Sequence, residues 1–170
     1  TKCASYDLES EYNPPESCID YLNTKPCDIA SKKYNLLRII GGELSVRYKK
    51  AIDAGILRSQ LILDPGIGFA KNLKENLSVI KQLPLLKNYS LYDDSDQRYV
   101  NFRNIPFLLG PSRKKFIGTV TKEDIPENRD FATGSVVASS IGFGADIVRV
   151  HNVRDCVKSA VMADALYKSI

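Results

Sequence analysis

Three short stretches of the sequence place charged or polar side chains directly after an apolar run. In the first, LILDPGIGFAKN (residues 61–72), the run ends at Asp64, and Gly66 and Gly68 let the following backbone come close to a ligand. A carboxylate at this point can accept two hydrogen bonds from a planar, amidine-like ligand edge, or it can close an Asx-turn within its own loop. The sequence leaves both interpretations of Asp64 open.

The second stretch, GPSRKK (residues 110–115), follows the apolar run PFLL and contains three adjacent cations, Arg113, Lys114 and Lys115. If this loop lies over the end of a sheet, an exposed helix face does not explain the three cations, although one of them could simply face solvent. The spacing does not match a nucleotide-binding phosphate loop. The stretch therefore favours a small anionic ligand.

The third stretch, VRVH (residues 148–151), carries Arg149 and His151 two residues apart, so a strand would point both side chains to one face. A helix is predicted to begin near Asn152, and the free N–H groups and the dipole of a helix start favour an anion. His151 is the only histidine of the chain, and the alternative is that its role is structural. Together these features predict a phosphate pocket.

Helices and strands in alternation must position these stretches. Apolar spacing and capping signals predict a helix at 40–54, a strand at 61–63, a helix from Asn72 to Pro84, a strand at 106–110, a helix at 130–143, a strand at 145–151 and a helix at 153–169. The last helix carries on one face Val153, Cys156, Val157, Ala160 and Val161. Residues 1–35 are predicted to be an irregular connection and residues 87–104 an inserted surface loop. The order predicts α/β architecture with a parallel sheet, in which ligands bind at the carboxyl ends of the strands.

Composition narrows the class of protein. The chain has 170 residues, of which 44% are hydrophobic and 26% charged, as in an ordinary globular domain. Its net charge of +4 does not indicate a nucleic-acid or membrane partner, and it suits an anionic small substrate.

The four cysteines lack metal-ligand spacing, which favours reduced thiols over structural zinc or a disulfide. No apolar run reaches the roughly 18 residues of a transmembrane helix and no signal peptide is evident, so we expect an intracellular protein, cytoplasmic or mitochondrial.

Three blocks of the sequence, LDPGIGFAKNLKENL, GPSRKKFIG and GADIVRVHNV, resemble the later blocks of dihydropteroate synthases and occur in the same order. The resemblance covers residues 61–170 and implies a TIM barrel, an eight-stranded (β/α)8 fold, of which these would be strands six to eight. The long insertions resemble those of fungal members. A complete barrel needs about 250 residues, so residues 1–170 are expected to be the carboxyl-terminal part of one pterin-binding domain. The lack of an initiator methionine fits this expectation.

The family joins 6-hydroxymethyl-7,8-dihydropterin pyrophosphate to p-aminobenzoate, giving 7,8-dihydropteroate and pyrophosphate in folate biosynthesis. By matching position, Asp64 and Lys114 would be the catalytic and pterin-binding residues, with Gly110 beside the pterin. The charge of Asp64 would stabilise the cation that remains as pyrophosphate departs. The resemblance thus implies a transferase that moves an alkyl group to an aryl amine.

The remaining site residues follow from the same resemblance. Arg149 and His151 would hold the pyrophosphate, and Mg²⁺ would complete the charge balance; the protein ligand of the metal would lie in earlier strands, so none is expected in this chain. Phe69, Lys71 and Ser112 would line the p-aminobenzoate side, where sulfonamides would also bind. The expected partners are the two substrates, the remaining amino-terminal part of the barrel and a second copy of the protein in a homodimer.

Two other functions stay open. A pterin-binding methyltransferase barrel would also place an acid against a pterin, although it has no evident need for Lys114 beside a pyrophosphate site. A non-catalytic α/β module would use the same side chains only for capping and ion pairs. Whichever function applies, three parallel strands cannot close a barrel, so the chain alone is expected to be inactive.

Overall fold

The computed structural model describes residues 35–93 and 97–168, in which the chain forms six α-helices and four short strands. The helices are α1 (Asn35–Asp53), α2 (Leu73–Lys81), α3 (Leu83–Lys87), α4 (Lys115–Thr121), α5 (Asp130–Gly142) and α6 (Val153–Tyr167). The strands are β1 (Ser90–Asp93), β2 (Arg98–Asn101), β3 (Leu108–Leu109) and β4 (Ile147–Val148). The predicted connection at 1–35 lies outside the described residues, except that residue 35 begins α1. Cys3, Cys18 and Cys27 also lie outside them.

A parallel sheet runs through the three regions that the sequence predicts as strands. β3 pairs with β4 in parallel, and Leu63 forms a parallel bridge to Phe107, just before β3. The Leu63 N–H donates to the Pro106 carbonyl at 2.9 Å, and its carbonyl accepts from the Leu108 N–H at 2.8 Å. The alternation of helices and strands confirms the predicted α/β class. The strands are shorter than predicted: β3 and β4 have two residues each, and Leu63 forms an isolated bridge.

Two hydrophobic clusters hold the helices against this sheet. The larger cluster includes Leu63, Phe107 and Leu109 together with side chains of α1, α2 and α3. The smaller one joins α5 to α6 through Val137 and Cys156, and Cys156 is a free thiol. Full burial of a large apolar side chain contributes about 1.5–3 kcal/mol, so the larger cluster holds the helices firmly against the strand segments.

Local signals set the ends of α1 and α2. Gly55, with a φ of +89°, follows α1 as predicted. Asn72 Oδ1 accepts from the Glu75 N–H at 2.9 Å, and Glu75 Oε2 accepts from the Asn72 N–H at 2.6 Å, which confirms the predicted capping box. The prediction that Pro84 ends this helix is wrong. α2 ends at Lys81, and Pro84 lies in the first turn of α3, where a helix does not need the missing backbone N–H.

Residues 87–104, predicted as an inserted surface loop, contain regular structure in their described part. β1 and β2 pair as an antiparallel hairpin, and Phe102, directly after β2, is fully buried. The ring of Tyr89 stacks on that of Phe102, with the ring centres 5.5 Å apart. Arg58 Nη1 donates to the Asn101 carbonyl at 3.1 Å and fixes the hairpin to the turn after α1. The apolar face of the hairpin is hard to see in the sequence because polar residues surround it.

Helix α6 leaves much of its apolar surface exposed. Cys156 and Ala163 are buried, whereas Val153, Val157 and Val161 are each more than half exposed. The predicted apolar face is therefore buried at Cys156 and open at the three valines. Between this helix and β4 lies a groove with mostly apolar walls. Across the described part of the chain, no helix is long and apolar enough to cross a membrane.

Candidate functional site

Three loops meet where the parallel strand segments end. They follow Leu63, β3 and β4, and they carry the residues that the sequence predicts for a ligand site. Phe69 and Lys114 join the first loop to the second, and Ser112 and His151 join the second to the third. The structure therefore brings the three predicted stretches into contact at one edge of the sheet.

Asp64 makes a turn, which was one of its two predicted roles. Its Oδ1 accepts a hydrogen bond from the Gly66 N–H at 2.8 Å, so the carboxylate closes an Asx-turn directly after Leu63. The side chain is exposed, and its Oδ2 makes no hydrogen bond within the described part of the chain. One carboxylate oxygen thus shapes the loop while the other is accessible, and the ligand contact of Asp64 stays a prediction.

A buried amide fixes the rest of this loop. Asn76, on α2, accepts from the Gly68 N–H at 2.6 Å and donates to the carbonyls of Lys71 at 3.0 Å and Asn72 at 2.8 Å. Sequence reasoning missed Asn76. The available signal was a polar residue on the apolar face of α2, because a buried amide requires hydrogen-bond partners.

Lys71 closes the same loop on itself. Its ammonium donates to the carbonyls of Gly66 at 3.0 Å and Phe69 at 3.4 Å. Partial burial lowers the pKa of Lys71, while the nearby carboxylates of Glu43 and Glu75 act in the opposite direction. The ammonium therefore has internal partners, and its predicted place beside p-aminobenzoate stays a prediction.

Lys114 lies across the first loop and over an aromatic ring. Its Nζ is 3.7 Å from the centre of the Phe69 ring, a cation–π contact on an exposed aromatic side chain. Gly68, with a φ of +79°, makes room for it, because a Cβ there would lie 2.5 Å from Lys114 Cδ. The residue predicted to bind pterin and a residue predicted to bind p-aminobenzoate are thus neighbours.

Arg149 lies against Gly110. A Cβ at Gly110 would be 3.1 Å from Nη2 of Arg149, so a side chain at this position would displace the guanidinium. The backbone N–H of Arg149 donates to the Leu109 carbonyl at 2.9 Å, which fixes the register of the two loops. This contact does not test the predicted pterin contact of Gly110. It gives the glycine a second role, because the missing side chain leaves room for the guanidinium of Arg149.

His151 is held by Ser112, two residues further along each loop. The His151 backbone N–H donates to Ser112 Oγ at 3.1 Å, and the same oxygen lies 2.9 Å from Nδ1 of the ring. The Ser112 hydroxyl can donate to Nδ1 or accept from Nδ1–H, so it holds the ring in either tautomer. Ser112 is buried, so the structure groups it with His151, and its predicted p-aminobenzoate contact stays a prediction.

The three adjacent cations of the second loop have three different environments. Arg113 forms a two-pronged ion pair with Asp130, with Nε to Oδ1 and Nη2 to Oδ2 both 2.8 Å. This hydrogen bonding is the main reason that the pKa of Asp130 lies below its ordinary value. Lys115 is exposed at the start of α4. Of the three, Lys114 is the one that contacts the first loop, on Phe69.

The donor set at the third loop suits an anion. A guanidinium at Arg149, an imidazole at His151 and the first N–H groups of the fifteen-residue helix α6 lie close together in the chain. Within residues 35–93 and 97–168, no group of three or more His, Cys, Asp or Glu side chains could hold a metal ion. The described residues can therefore bind phosphate oxygens more readily than a cation.

Comparison with known sequences identifies relatives. The profile of a family described as pterin binding enzyme matches residues 15–151. The chain is 36% identical over 161 residues to the dihydropteroate synthase of Bacillus subtilis, a match that covers 94% of this chain and 48% of that protein. It is 38% identical over 131 residues to the dihydropteroate synthase of Synechocystis, covering 75% of this chain and 40% of that protein.

A solved structure shows the same relationship. The chain matches a dihydropteroate synthase from Coxiella burnetii in complex with pteroic acid with a TM-score of 0.69 and 26% identity, covering 82% of this chain and 48% of that one. The chain thus spans less than half the length of these relatives. Because the family profile matches most of the chain and includes all three loops, the chain belongs to the family of pterin-binding enzymes.

Proposed function

We propose that this chain is the carboxyl-terminal part of a dihydropteroate synthase, which condenses 6-hydroxymethyl-7,8-dihydropterin pyrophosphate with p-aminobenzoate. One observation carries the proposal: an anion pocket adjoins a surface for aromatic rings. Arg149 and His151 lie against the loop after β3, and Lys114 of that same loop lies on Phe69. A substrate with a pyrophosphate at one end and a flat ring at the other would fit this arrangement.

Asp64 and Lys114 would recognise the pterin ring. The aminopyrimidine edge of a pterin presents N–H donors side by side, and a carboxylate can accept from them with both oxygens, since each oxygen has two acceptor positions. Oδ1 of Asp64 already accepts from Gly66 and is thereby held in place, while Oδ2 is accessible. Lys114 would donate to the polar edge of the ring, where Gly110 lets the backbone come close.

The reaction would form one carbon–nitrogen bond and break one carbon–oxygen bond. The amine of p-aminobenzoate attacks the methylene carbon on the pterin, pyrophosphate leaves with the electron pair of the broken bond, and the amine proton passes to water. Arg149, His151 and the N–H groups at the start of α6 would stabilise the charge that develops on the leaving group. Asp64 would stabilise the positive charge on the pterin side.

Phe69, Lys71 and Ser112 are proposed to line the p-aminobenzoate side, and the structure supports them unequally. Phe69 is exposed and offers a ring face. The polar groups of Lys71 and Ser112 already bind within the chain, to Gly66 and His151. We therefore expect Phe69 to contribute most of the contact with p-aminobenzoate or a sulfonamide.

Other parts of the protein would complete the site. We propose that Leu63, β3 and β4 mark strands six to eight of a TIM barrel, since parallel segments follow each other in chain order with helices between them. The remaining amino-terminal part of the barrel would pair with the free edge of β4. Mg²⁺, when bound, would neutralise charge on the pyrophosphate oxygens, and by the family resemblance its protein ligand would lie in the earlier strands. The homodimer and the intracellular location stay predictions.

The replacement Arg149→Ala in the full-length protein tests the proposal. Binding of the pterin pyrophosphate, measured by calorimetry, should weaken by about 1.5–3 kcal/mol, the usual scale of a hydrogen bond to a charged group. The corresponding pterin alcohol lacks the pyrophosphate and should lose much less. The control Lys168→Gln removes an exposed cation from the opposite end of α6 and should change neither affinity.

Equal weakening of the alcohol and the pyrophosphate would show that Arg149 supports the fold or the ring. The unaltered protein also separates the rival functions. Preference for methyltetrahydrofolate over pterin pyrophosphate would favour a methyltransferase barrel. A folded full-length protein with no affinity for either ligand would favour a non-catalytic module.

A further inference from the structure

Arg113 is held in an uncommon backbone conformation by contacts on three sides. Its φ is +59°, in the left-handed region that non-glycine residues rarely adopt. Its N–H donates to Thr133 Oγ1 at 3.2 Å, and its carbonyl accepts from Nη1 of the buried Arg129 at 2.9 Å. Its guanidinium binds both carboxylate oxygens of Asp130. The surrounding structure thus determines where this residue lies.

Asp130 passes this constraint on to the start of α6. Asn152 Nδ2 lies 3.3 Å from Asp130 Oδ2 and 3.0 Å from Asp155 Oδ2. Asn152 Oδ1 accepts from the Asp155 N–H at 3.2 Å and so caps α6. Asn152 directly follows His151, so the same contacts define where the helix begins and where the loop before it lies.

The guanidinium of Arg113 is too engaged to serve as an anion ligand itself. Nε and Nη2 each bind an oxygen of Asp130, and Nη1 lies 3.7 Å from Glu127 Oε1. This ion pair also reduces electrostatic repulsion of the ligand, because an unpaired carboxylate at position 130 would repel an anion near His151. Arg113 therefore acts on the pocket indirectly, through its ion pair with Asp130, and not by binding the anion.

We propose that Arg113 is a positioning residue for the pyrophosphate pocket. Through Asp130 it fixes Asn152, and together with the contact between Ser112 and His151 it ties the loop after β3 to the start of α6. Arg149, His151 and the helix N–H groups are thereby held in one arrangement before the anion arrives, so binding does not have to order them. This inference rests on the proposed function, since it names how the same pocket is kept in shape.

The replacement Asp130→Asn gives a test whose sign is decisive. Removing a negative charge beside an anion pocket would, by charge alone, strengthen pyrophosphate binding. If Asp130 positions the pocket, binding of inorganic pyrophosphate to the full-length protein should instead weaken by about two- to tenfold, the effect of one lost hydrogen bond. Unchanged or tighter binding of pyrophosphate would overturn the proposal.

A second ligand separates positioning from general damage to the fold. Affinity for p-aminobenzoate, measured in the presence of a saturating pterin that lacks pyrophosphate, should be unchanged in Asp130→Asn. Equal losses for both ligands would overturn the proposal in favour of a structural role. The control Lys168→Gln, at the opposite end of α6, should leave both affinities as they are.

The replacement Arg113→Ala should weaken pyrophosphate binding more than Asp130→Asn does, because it leaves the carboxylate unpaired beside the pocket. Adding Asp130→Asn to Arg113→Ala should recover part of that loss, whereas a further loss in the double variant would contradict the proposed arrangement. If the unaltered full-length protein binds no pyrophosphate, the proposed function fails. If it binds normally and the variants bind as well, the role of Arg113 alone fails.

Discussion

β3 and β4 pair with each other, yet their surroundings differ. Phe107 and Leu109 have no exposed surface, whereas Ile147 in β4 keeps 36% of its surface exposed and Val157 on the adjacent helix keeps 55%. β3 has parallel neighbours on both sides, and β4 has one within the described residues. For β3 and β4 the difference in burial matches the number of parallel neighbours, and the apolar side chains beside β4 are placed where a further strand and helix of the proposed barrel would cover them.

The largest effect that this comparison predicts concerns activity. If the proposed barrel is correct, the isolated 170-residue chain should show no measurable condensation of pterin pyrophosphate with p-aminobenzoate, because three of eight strands cannot close a barrel. Release of pyrophosphate is the measurement. Adding the amino-terminal part of the barrel, as a separate polypeptide or in one chain, should restore it. Robust turnover by the isolated chain as a monomer would break the comparison.

A pair of core replacements should show the same difference in stability. In the isolated chain, Phe107→Ala should lower the free energy of unfolding by about 3–5 kcal/mol, the usual cost of deleting a buried aromatic side chain. Ile147→Ala, at the half-covered edge, should cost about 1–2 kcal/mol. Urea denaturation gives both values. In the full-length protein the cost of Ile147→Ala should rise if the proposed barrel covers this edge. Equal costs in the isolated chain would contradict the assignment of β4 as an edge.

The smallest effect concerns two carboxylates, Asp130 and Asp155, that both contact the side-chain amide of Asn152. Hydrogen bonds, from Arg113 to Asp130 and from Asn152 to Asp155, are the leading causes that lower the pKa of each group. A lowered pKa in the folded state stabilises the fold above the ordinary pKa of about 3.9, and this contribution is lost as the pH falls through the lowered value. Thermal melts from neutral pH down to about pH 2 should therefore show Asp130→Asn approaching the unaltered protein at the acid end.

Asp155 provides the matched comparison for this measurement. Its side chain is 63% exposed against 21% for Asp130, so solvent screens its interactions more strongly. We expect Asp155→Asn to change the pH dependence less than Asp130→Asn. The reverse order would mean that the start of α6 depends on its own cap more than on the ion pair behind it.

Features that depend on residues close in the chain were the predictable part of this structure. The capping box of Asn72 and Glu75 spans three positions, and it is visible in the sequence because a single helix start determines it. The α/β class follows for the same reason, since apolar spacing identifies most helices one by one. The common direction of Arg149 and His151 stays a prediction, because β4 ends at Val148 and both residues follow it outside the strand.

Features that depend on distant residues were missed. The contact of Ser112 with His151 joins positions 39 apart, and the ion pair of Arg113 with Asp130 joins positions 17 apart. No local pattern says which acid a cation will meet once the chain is folded. The hairpin at 87–104 was missed because its burial depends on packing against α1, as shown by Tyr48 and Phe102, whose ring centres are 6.5 Å apart.

Because the Lys114 ammonium lies above the Phe69 ring, position 69 is suitable for a fluorescent probe of ligand binding. The chain contains no tryptophan, so Phe69→Trp would introduce a single strong fluorophore at an exposed position. The indole would lie beneath the Lys114 ammonium, which is 3.7 Å from the present ring, and a tryptophan face attracts a cation more strongly than phenylalanine does. A ligand that draws Lys114 away would change the emission of that one indole, so occupancy of the ring surface could be followed directly, without turnover.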